Sequence, residues 1–252
     1  MMESLWKHPI LTSQKVKSSA VGEKWEWITR KRGVVTRVSV FIVENVARVR
    51  NEKKLLHMQE YPTRQNMKNS VRKINEIFVS LQGEGFHTGR SVIFVRFSGC
   101  NLSCSFCDTQ HQDYVELTDD QIAEKVSTSP IDWVVLTGGE PSLQTSEYLV
   151  DLLHKQGKKV AIETNGTCEI PQNIDWITLS PKDVEKTILT KADELKVVYV
   201  GKSVESWLEK ISAPHLFLQP CSCKNTDETV RYVLAHPHWR LSLQTHKYIG
   251  ID

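Results

Sequence analysis

Apolar and β-branched runs alternate with amphipathic segments from residue 74 onward, and this alternation restricts the fold more than any other feature. Strands that alternate with helices predict a parallel sheet built of βα units. Each run ends in polar or glycine residues. The runs are Ser91–Phe97, Trp133–Leu136, Lys159–Ile162, Trp176–Leu179, Leu195–Val200, Leu216–Leu218 and Arg240–Leu243.

The part of the chain that carries this pattern is too short for a full eight-fold barrel, which takes roughly 250 residues. A partial barrel of the (β/α)6 type fits it better. The helix signals are few, so we expect a reduced helix complement. They are a capping box at Thr118–Gln121, a helix over Glu147–Gln156, a helix that Ser203 caps and that runs through Ile211, and another over Asn225–Ala235. An open doubly wound sheet is the alternative, although no GxGxxG motif follows the first strand.

Charge divides the chain into two parts. Residues 1–66 contain 13 Lys or Arg and 6 Asp or Glu, whereas residues 67–252 contain 19 and 24. The first part is poorly patterned, with one strand or hairpin expected at Val34–Val49, and no methionine follows Met67. We therefore expect residues 1–66 to be a basic extension, either disordered or an over-long gene assignment, and residues 67–252 to be the catalytic domain. A basic arm that binds nucleic acid is the alternative.

Hydropathy and cysteine usage indicate the cellular compartment in which the protein works. No run of about 18 apolar residues occurs, and the first residues lack the apolar region of a signal peptide. Six cysteines, three of them within eight residues, indicate a metal site more than a disulfide framework. We expect a cytoplasmic protein without a membrane partner.

The main chemical signal is the loop Cys100-Asn101-Leu102-Ser103-Cys104-Ser105-Phe106-Cys107, which follows the run Ser91–Phe97. Three thiolates in one loop suit an iron–sulfur cluster or zinc. Structural zinc normally has four protein ligands, and only His111 lies near in sequence as a fourth. The spacing therefore favours a [4Fe–4S] cluster with one open iron, while a zinc knuckle or free thiols remain alternatives.

Three further motifs follow strands and should share the active-site face, because carboxyl ends of parallel strands meet there. Each motif alone is typical of a turn. Together with the cysteine loop they indicate a cofactor pocket. They are Thr137-Gly138-Gly139-Glu140-Pro141, Glu163-Thr164-Asn165-Gly166-Thr167 and Ser180-Pro181-Lys182.

These residues resemble the radical S-adenosylmethionine (SAM) superfamily and, more closely, its 7-carboxy-7-deazaguanine synthase family, from the queuosine pathway. The resemblance runs from about residue 73 to the end and leaves residues 1–66 unmatched. Besides the four motifs above, it is carried by Asn75-Glu76-Ile77-Phe78-x2-Leu81-Gln82-Gly83-Glu84-Gly85, Phe94-x-Arg96-x2-Gly99-Cys100-Asn101-Leu102, Cys107-Asp108-Thr109 and Trp239-Arg240-Leu241-Ser242-Leu243-Gln244-Thr245-His246-Lys247.

The resemblance implies a lyase that converts 6-carboxy-5,6,7,8-tetrahydropterin to 7-carboxy-7-deazaguanine and ammonia. It implies a [4Fe–4S] cluster that cleaves SAM to a 5′-deoxyadenosyl radical, an assisting Mg²⁺ and an external reductant of the flavodoxin or ferredoxin type. It also implies a homodimer and no nucleic-acid partner.

The resemblance further assigns roles to individual residues. Cluster ligands are Cys100, Cys104 and Cys107, and the Mg²⁺ ligand is Thr109. SAM contacts are Phe106, Cys107, Asp108, Gly139, Ser180, Pro181 and Lys182. Substrate contacts are Leu81, Gln82, Gly83, Arg96 and Thr137. The planar guanidinium of Arg96 suits a carboxylate, although a surface ion pair is the alternative reading.

Two other functions compete with this one. Another radical SAM enzyme, such as a glycyl-radical activating protein, would share the cysteine loop and Gly138-Gly139 but lack Leu81–Gly85 and Trp239–Lys247. A zinc module that binds RNA through the basic arm would lack the cluster.

Overall fold

The computed structural model describes backbone elements between residues 11 and 51, and it describes residues 69–107 and 113–251 with their side chains. The chain divides into two compact units, Met1–Thr63 and Arg64–Asp252. Each unit is described by itself below.

The first unit contains an antiparallel sheet whose strands pair in chain order. Its strands are β1 (Leu11–Ser19), β2 (Gly22–Lys31), β3 (Val34–Val43) and β4 (Val46–Asn51). β3 and β4 form a hairpin where the sequence predicts a strand or hairpin, whereas β1 and β2 are additional. The alternation of Trp25 and Trp27 with charged neighbours is a period-two signal for β2 that the weak overall pattern obscured.

The second unit is built on one mixed sheet of nine strands, in the order β13-β12-β11-β10-β9-β8-β6-β5-β7. The strands are β5 (Val71–Leu81), β6 (Ser91–Phe97), β7 (Val115–Thr118), β8 (Trp133–Gly138), β9 (Lys159–Thr164), β10 (Trp176–Leu179), β11 (Glu194–Tyr199), β12 (His215–Pro220) and β13 (Arg240–Leu241). The helices are α1 (Asp119–Ser127), α2 (Glu147–Lys155), α3 (Ser206–Lys210), α4 (Thr226–Ala235) and α5 (Thr245–Ile249).

The winding of this sheet decides between the two predicted folds. β6 and the strands from β8 to β13 are parallel and succeed one another in chain order, without a reversal. A doubly wound sheet would reverse its order at a switch point. The partial barrel is therefore confirmed, with antiparallel β5 and β7 added at one edge.

The connections confirm the reduced helix complement. α2 links β8 to β9, but no α-helix lies between β9 and β10 or between β10 and β11. The capping box at Thr118 and Gln121 is present. The predicted cap at Ser203 is wrong, because α3 begins only at Ser206 with Glu205 as its N-cap residue.

Alternating side chains divide the sheet into two faces. One face packs against α1 and α2 through Ile93, Val95, Leu136 and Ile162, among other buried side chains. The opposite face carries a smaller apolar cluster of Val92, Trp133, Val135 and Ala161 near the amino ends of the strands. No helix in the described residues is long and apolar enough to span a bilayer.

Candidate active site

A cavity of about 310 Å³ lies against the carboxyl ends of the parallel strands, with the loop after β5 forming part of its wall. Most of the predicted site residues reach it. They are Leu81, Gln82, Gly83, Arg96, Cys100, Cys104, Phe106, Cys107, Thr137, Gly139, Ser180 and Lys182. Pro181 is buried and does not line the cavity. Asp108 and Thr109 lie outside the described residues.

The cysteine loop presents its three thiols to this cavity. Cys100 and Cys104 are half-buried, and Cys107 is exposed. The Leu102 N–H points to Cys100 Sγ at 3.4 Å, and the Cys107 N–H donates to the Cys104 carbonyl at 3.1 Å. Burial raises the pKa of the Cys100 thiol, and the Glu140 carboxylate and the other two thiols raise it further. Mutual charge repulsion among three thiolates is what a bound iron–sulfur cluster relieves.

The donor set fits a cluster better than a single ion. No three His, Cys, Asp or Glu side chains among the described residues are grouped closely enough to hold one metal ion. An iron–sulfur cluster does not require the three sulfur atoms to converge on one point, because each cysteine binds a different iron. Neither Cys168 nor Cys223 lines the cavity, and Cys221 reaches its wall from the segment after β12.

Close packing explains the two glycines after β8. A Cβ on Gly138 would lie 2.2 Å from the Phe97 carbonyl oxygen, and a Cβ on Gly139 would lie 2.0 Å from the Gly99 carbonyl oxygen. The Glu140 N–H also donates to that Gly99 oxygen at 2.9 Å. The glycines therefore let the loop after β8 lie directly on the cysteine loop.

The Glu140 carboxylate joins this loop to the one after β9. It is 1% exposed and accepts hydrogen bonds from the Thr164 hydroxyl at 2.6 Å, the Asn165 N–H at 2.7 Å and the Ser142 N–H at 3.0 Å. Asn165 in turn donates to Asn101 Oδ1 at 3.1 Å. Three loops are thereby fixed around the cysteines.

Lys182 is the polar group supplied by the loop after β10. Its Nζ donates to the carbonyl and the hydroxyl of Ser180, both at 2.6 Å. Burial and the nearby Lys196 lower the pKa of Lys182 to about 8. An anionic group bound beside it would hold this amine in its charged form.

Arg96 and Thr137 lie side by side in the register of β6 and β8. The Arg96 Nε lies 2.7 Å from Glu76 Oε1, an ion-pair distance, although the N–H is not aimed well enough at that oxygen for a hydrogen bond. The guanidinium also lies over the Phe78 ring, 5.4 Å from its centroid. The structure thus combines both readings of Arg96, since one residue lines the cavity and pairs across to β5.

Gln82 is held by the protein itself. Its side-chain Nε2 donates to Glu163 Oε1 at 2.9 Å, and its Oε1 accepts from the Glu84 N–H at 3.1 Å. Gly83 packs against α5, where its carbonyl accepts from the Thr245 N–H at 2.9 Å and a Cβ would collide with His246. Leu81 is exposed at the cavity wall.

Sequence reasoning missed the charged groups of this wall. Glu84, Glu163 and Lys196 all line the cavity. Burial alone would lower the pKa of Lys196, but Glu163, Glu84 and Glu194 outweigh it and raise the pKa above its ordinary value. A signal was available, since Lys196 interrupts the apolar run Leu195–Val200 on a strand that should be buried.

Comparisons with known proteins agree with this geometry. Residues 94–230 match the family model of the radical SAM superfamily. The 7-carboxy-7-deazaguanine synthase of Bacteroides thetaiotaomicron is 59% identical over 181 residues, which cover 72% of this chain and 99% of that protein. The synthase of Bradyrhizobium diazoefficiens is 40% identical over 205 residues, which cover 71% of this chain and 98% of that protein.

A solved structure is similar as well. The crystal structure of QueE from Escherichia coli matches with a TM-score of 0.59 and 28% identity, covering 74% of this chain and 99% of that one. The fold and the site thus define a radical SAM enzyme, whose family binds a [4Fe–4S] cluster and SAM. Within that superfamily the chain belongs to the 7-carboxy-7-deazaguanine synthases.

Proposed function

We propose that the chain converts 6-carboxy-5,6,7,8-tetrahydropterin to 7-carboxy-7-deazaguanine inside the 310 Å³ cavity. Loss of one ammonia accounts for the whole difference in composition, so the reaction needs no net oxidant. One observation carries the proposal: a guanidinium and a pair of carboxylates line the same cavity as the three cysteines.

Cys100, Cys104 and Cys107 would hold the cluster, and Phe106, Gly139, Ser180 and Lys182 would hold SAM. When bound, these two groups supply the radical that starts the reaction. The chain's contribution is orientation and charge. Lys182, whose pKa of about 8 leaves it mostly cationic at neutral pH, would pair with the carboxylate of SAM. Asp108 and Thr109 keep their assignments as a SAM contact and the Mg²⁺ ligand.

Arg96 and Thr137 would bind the carboxylate of the substrate. A guanidinium presents two parallel N–H groups to a carboxylate, and the adjacent hydroxyl of Thr137 can donate a third hydrogen bond. Glu76, which lies beside Arg96 Nε, would keep the guanidinium in its orientation while the terminal nitrogens bind the substrate.

Glu84 and Glu163 would recognise the other end of the pterin. Its N3–H and 2-amino group form an edge of donors, and ionised carboxylates offer only acceptors. Because both ends of the Gln82 amide have protein partners, we assign Gln82 mainly to fixing these carboxylates. Leu81 and Gly83 would contact the ring from the loop after β5.

The proposal extends to the electron donor, the oligomeric state and the compartment of the enzyme. A flavodoxin-type or ferredoxin-type protein would supply the electron, the chain would act as a homodimer, and the enzyme would work in the cytoplasm. Thiolates that are open to solvent are readily oxidised, so Cys107 in its exposed position favours a reducing compartment.

The test is anaerobic reconstitution with iron and sulfide, followed by incubation with SAM, Mg²⁺, dithionite and the carboxytetrahydropterin. We expect a brown protein with absorbance near 400 nm that releases one ammonia per 7-carboxy-7-deazaguanine formed. A brown protein that cleaves SAM without consuming the pterin would support a different radical SAM enzyme. A colourless protein that retains zinc would support the RNA-binding module.

A further inference from the structure

Lys196 is a buried cation to which the proposed chemistry assigns no role. Its side chain is 4% exposed, and it lies within β11 between Leu195 and Val197. Taking an ammonium group out of water is costly unless it is paired. The groups that pair with Lys196 therefore indicate the function of its positive charge.

Four contacts close a ring through Lys196. Its Nζ lies 2.5 Å from Glu84 Oε2 and 3.6 Å from Glu163 Oε2. Gln82 completes the ring, since its Nε2 donates to Glu163 and its Oε1 accepts from the Glu84 N–H. The ring joins three segments that are distant in the chain, namely the loop after β5, β9 and β11.

Each carboxylate of the ring has a further partner that fixes its plane. Gln244 Nε2 donates to Glu84 Oε1 at 2.8 Å. Gln82 Nε2 donates to Glu163 Oε1 at 2.9 Å, and Glu163 Oε2 faces Lys196. Both carboxylates are thus held at two points while they line the cavity.

Other charged groups face the ring. Glu194 lies two residues before Lys196 on the same face of β11 and is 2% exposed. His246 of α5 stabilises the charge of Glu84, and Lys182 adds positive charge from the loop after β10. Three carboxylates therefore surround Lys196, and the cation of the ring offsets their repulsion.

We propose that Lys196 is a positioning residue, which keeps Glu84 ionised and holds both Glu84 and Glu163 in the orientation in which the cavity presents acceptors to the substrate. The proposal rests on the proposed function, because the donor edge in question is that of the pterin. Without the cation, the buried Glu84 carboxylate would take up a proton, because burial disfavours its charged form and Lys196 is the main group that offsets this. A protonated carboxyl would then face an N–H of the substrate with a donor.

The experiment compares the wild-type holoenzyme with Lys196→Met across pH 6 to 9. Iron content and SAM affinity should stay at wild-type levels, and the KM for the pterin should rise. Loss of the cation raises the pKa of Glu84, whose charge Lys196 stabilises, so kcat/KM should fall most at low pH and recover as pH increases. Because the pKa of Glu84 is lowered in the wild type, the wild-type acid limb of kcat/KM should lie below this pH range. In the variant we expect the limb to move up into the range, so that kcat/KM falls about tenfold for each pH unit below it.

Lys158 provides a matched control. It is also a buried lysine, but its Nζ donates to the carbonyls of Ser129 and Ile131, both at 2.7 Å, and it does not line the cavity. Lys158→Met should lower thermal stability and leave the acid limb unchanged. Lys196→Arg, which restores the charge, should return the acid limb toward the wild-type position.

A Lys196→Met enzyme with wild-type KM and pH profile would overturn the proposal, as would loss of the cluster in that variant. If Lys196→Met does not fold, Lys196→Gln enters the same comparison. A wild-type enzyme that does not convert the pterin at all would instead refute the proposed function, so the two failures are distinguishable.

Discussion

The two ends of the parallel sheet differ sharply in chemistry. At the amino ends, the first residues of β8, β10 and β12 are Trp133, Trp176 and His215. Phe86 stacks on Trp176 with ring centroids 5.0 Å apart, and the ring centroids of His87 and Trp133 are 4.7 Å apart. At the carboxyl ends, the corresponding loops hold cysteines, glycines and charged side chains around the cavity.

The loop between β5 and β6 connects these two ends. Its first residues, Gln82 and Glu84, line the cavity, and four residues after Gln82 Phe86 joins the aromatic cluster. One segment thus shapes the polar wall and fills the apolar end. The comparison indicates that packing at the amino ends supports the site, whereas the chemistry belongs to the carboxyl ends.

The largest effect should come from the carboxyl-end thiols. Reconstituted protein should bind about four irons and four sulfides, and Cys100→Ala, Cys104→Ala or Cys107→Ala should each abolish this. Cys168→Ala, Cys221→Ala and Cys223→Ala are the controls and should retain full iron content. Iron and sulfide analysis with the absorbance near 400 nm gives the result. Loss of the cluster in a control variant would add that cysteine to the ligands.

A slightly smaller loss of activity should follow from changing Arg96, the proposed partner of the substrate carboxylate. Removing one partner of a desolvated charge pair costs about 2–5 kcal/mol, so Arg96→Ala should lower turnover by orders of magnitude with nearly normal SAM affinity. Arg96→Lys should retain only part of the wild-type turnover, since an ammonium cannot reproduce the two parallel N–H groups of a guanidinium. Glu76→Gln should cost less turnover, because it weakens the ion pair that orients Arg96 and leaves the guanidinium itself in place. An equal loss in the two variants would mean that the cross-strand ion pair, and not substrate binding by Arg96, supports turnover.

At the amino ends the expected loss is in stability. Trp133 is 7% exposed, and truncating a buried tryptophan costs about 3–5 kcal/mol. Trp133→Ala should lower Tm clearly, while the protein that remains folded retains cluster content and turnover. Trp133→Phe should lose less, because it keeps a ring against His87. A Trp133→Phe variant of wild-type stability but impaired turnover would contradict the division between the two ends.

The smallest effect should result from removing residues 1–66. A chain that starts at Met67 retains both ends of the sheet, since β5 begins at Val71. We expect wild-type Tm and turnover, measured by calorimetry and ammonia release. A large loss in either would make the first unit a functional part of the enzyme.

Local patterns in the sequence were sufficient for the class of fold and the nature of the site. Three cysteines in one loop can bind a cluster in any fold that leaves the loop accessible, and the motifs after each strand reach one face because the strands are parallel. β5 and β7 were not recognised as strands. Four of the five residues from Arg72 to Glu76 are polar, and this conceals the period of β5. Arg72 shares the buried face with Ile74 because its guanidinium pairs with Asp119, 2.8 Å away.

Contacts across the barrel depended on the tertiary structure alone. Period two shows which face of β11 carries Lys196, but it does not show which side chains lie opposite. Glu84 meets Lys196 from 112 residues away in the chain, because the loop after β5 lies across the amino-terminal part of strands that it does not pair with, where the Phe86 N–H donates to Glu194 at the start of β11. A buried charge without a partner costs free energy, and a buried pair can be stable. The role of a buried lysine therefore depends on which side chains the tertiary structure brings to it.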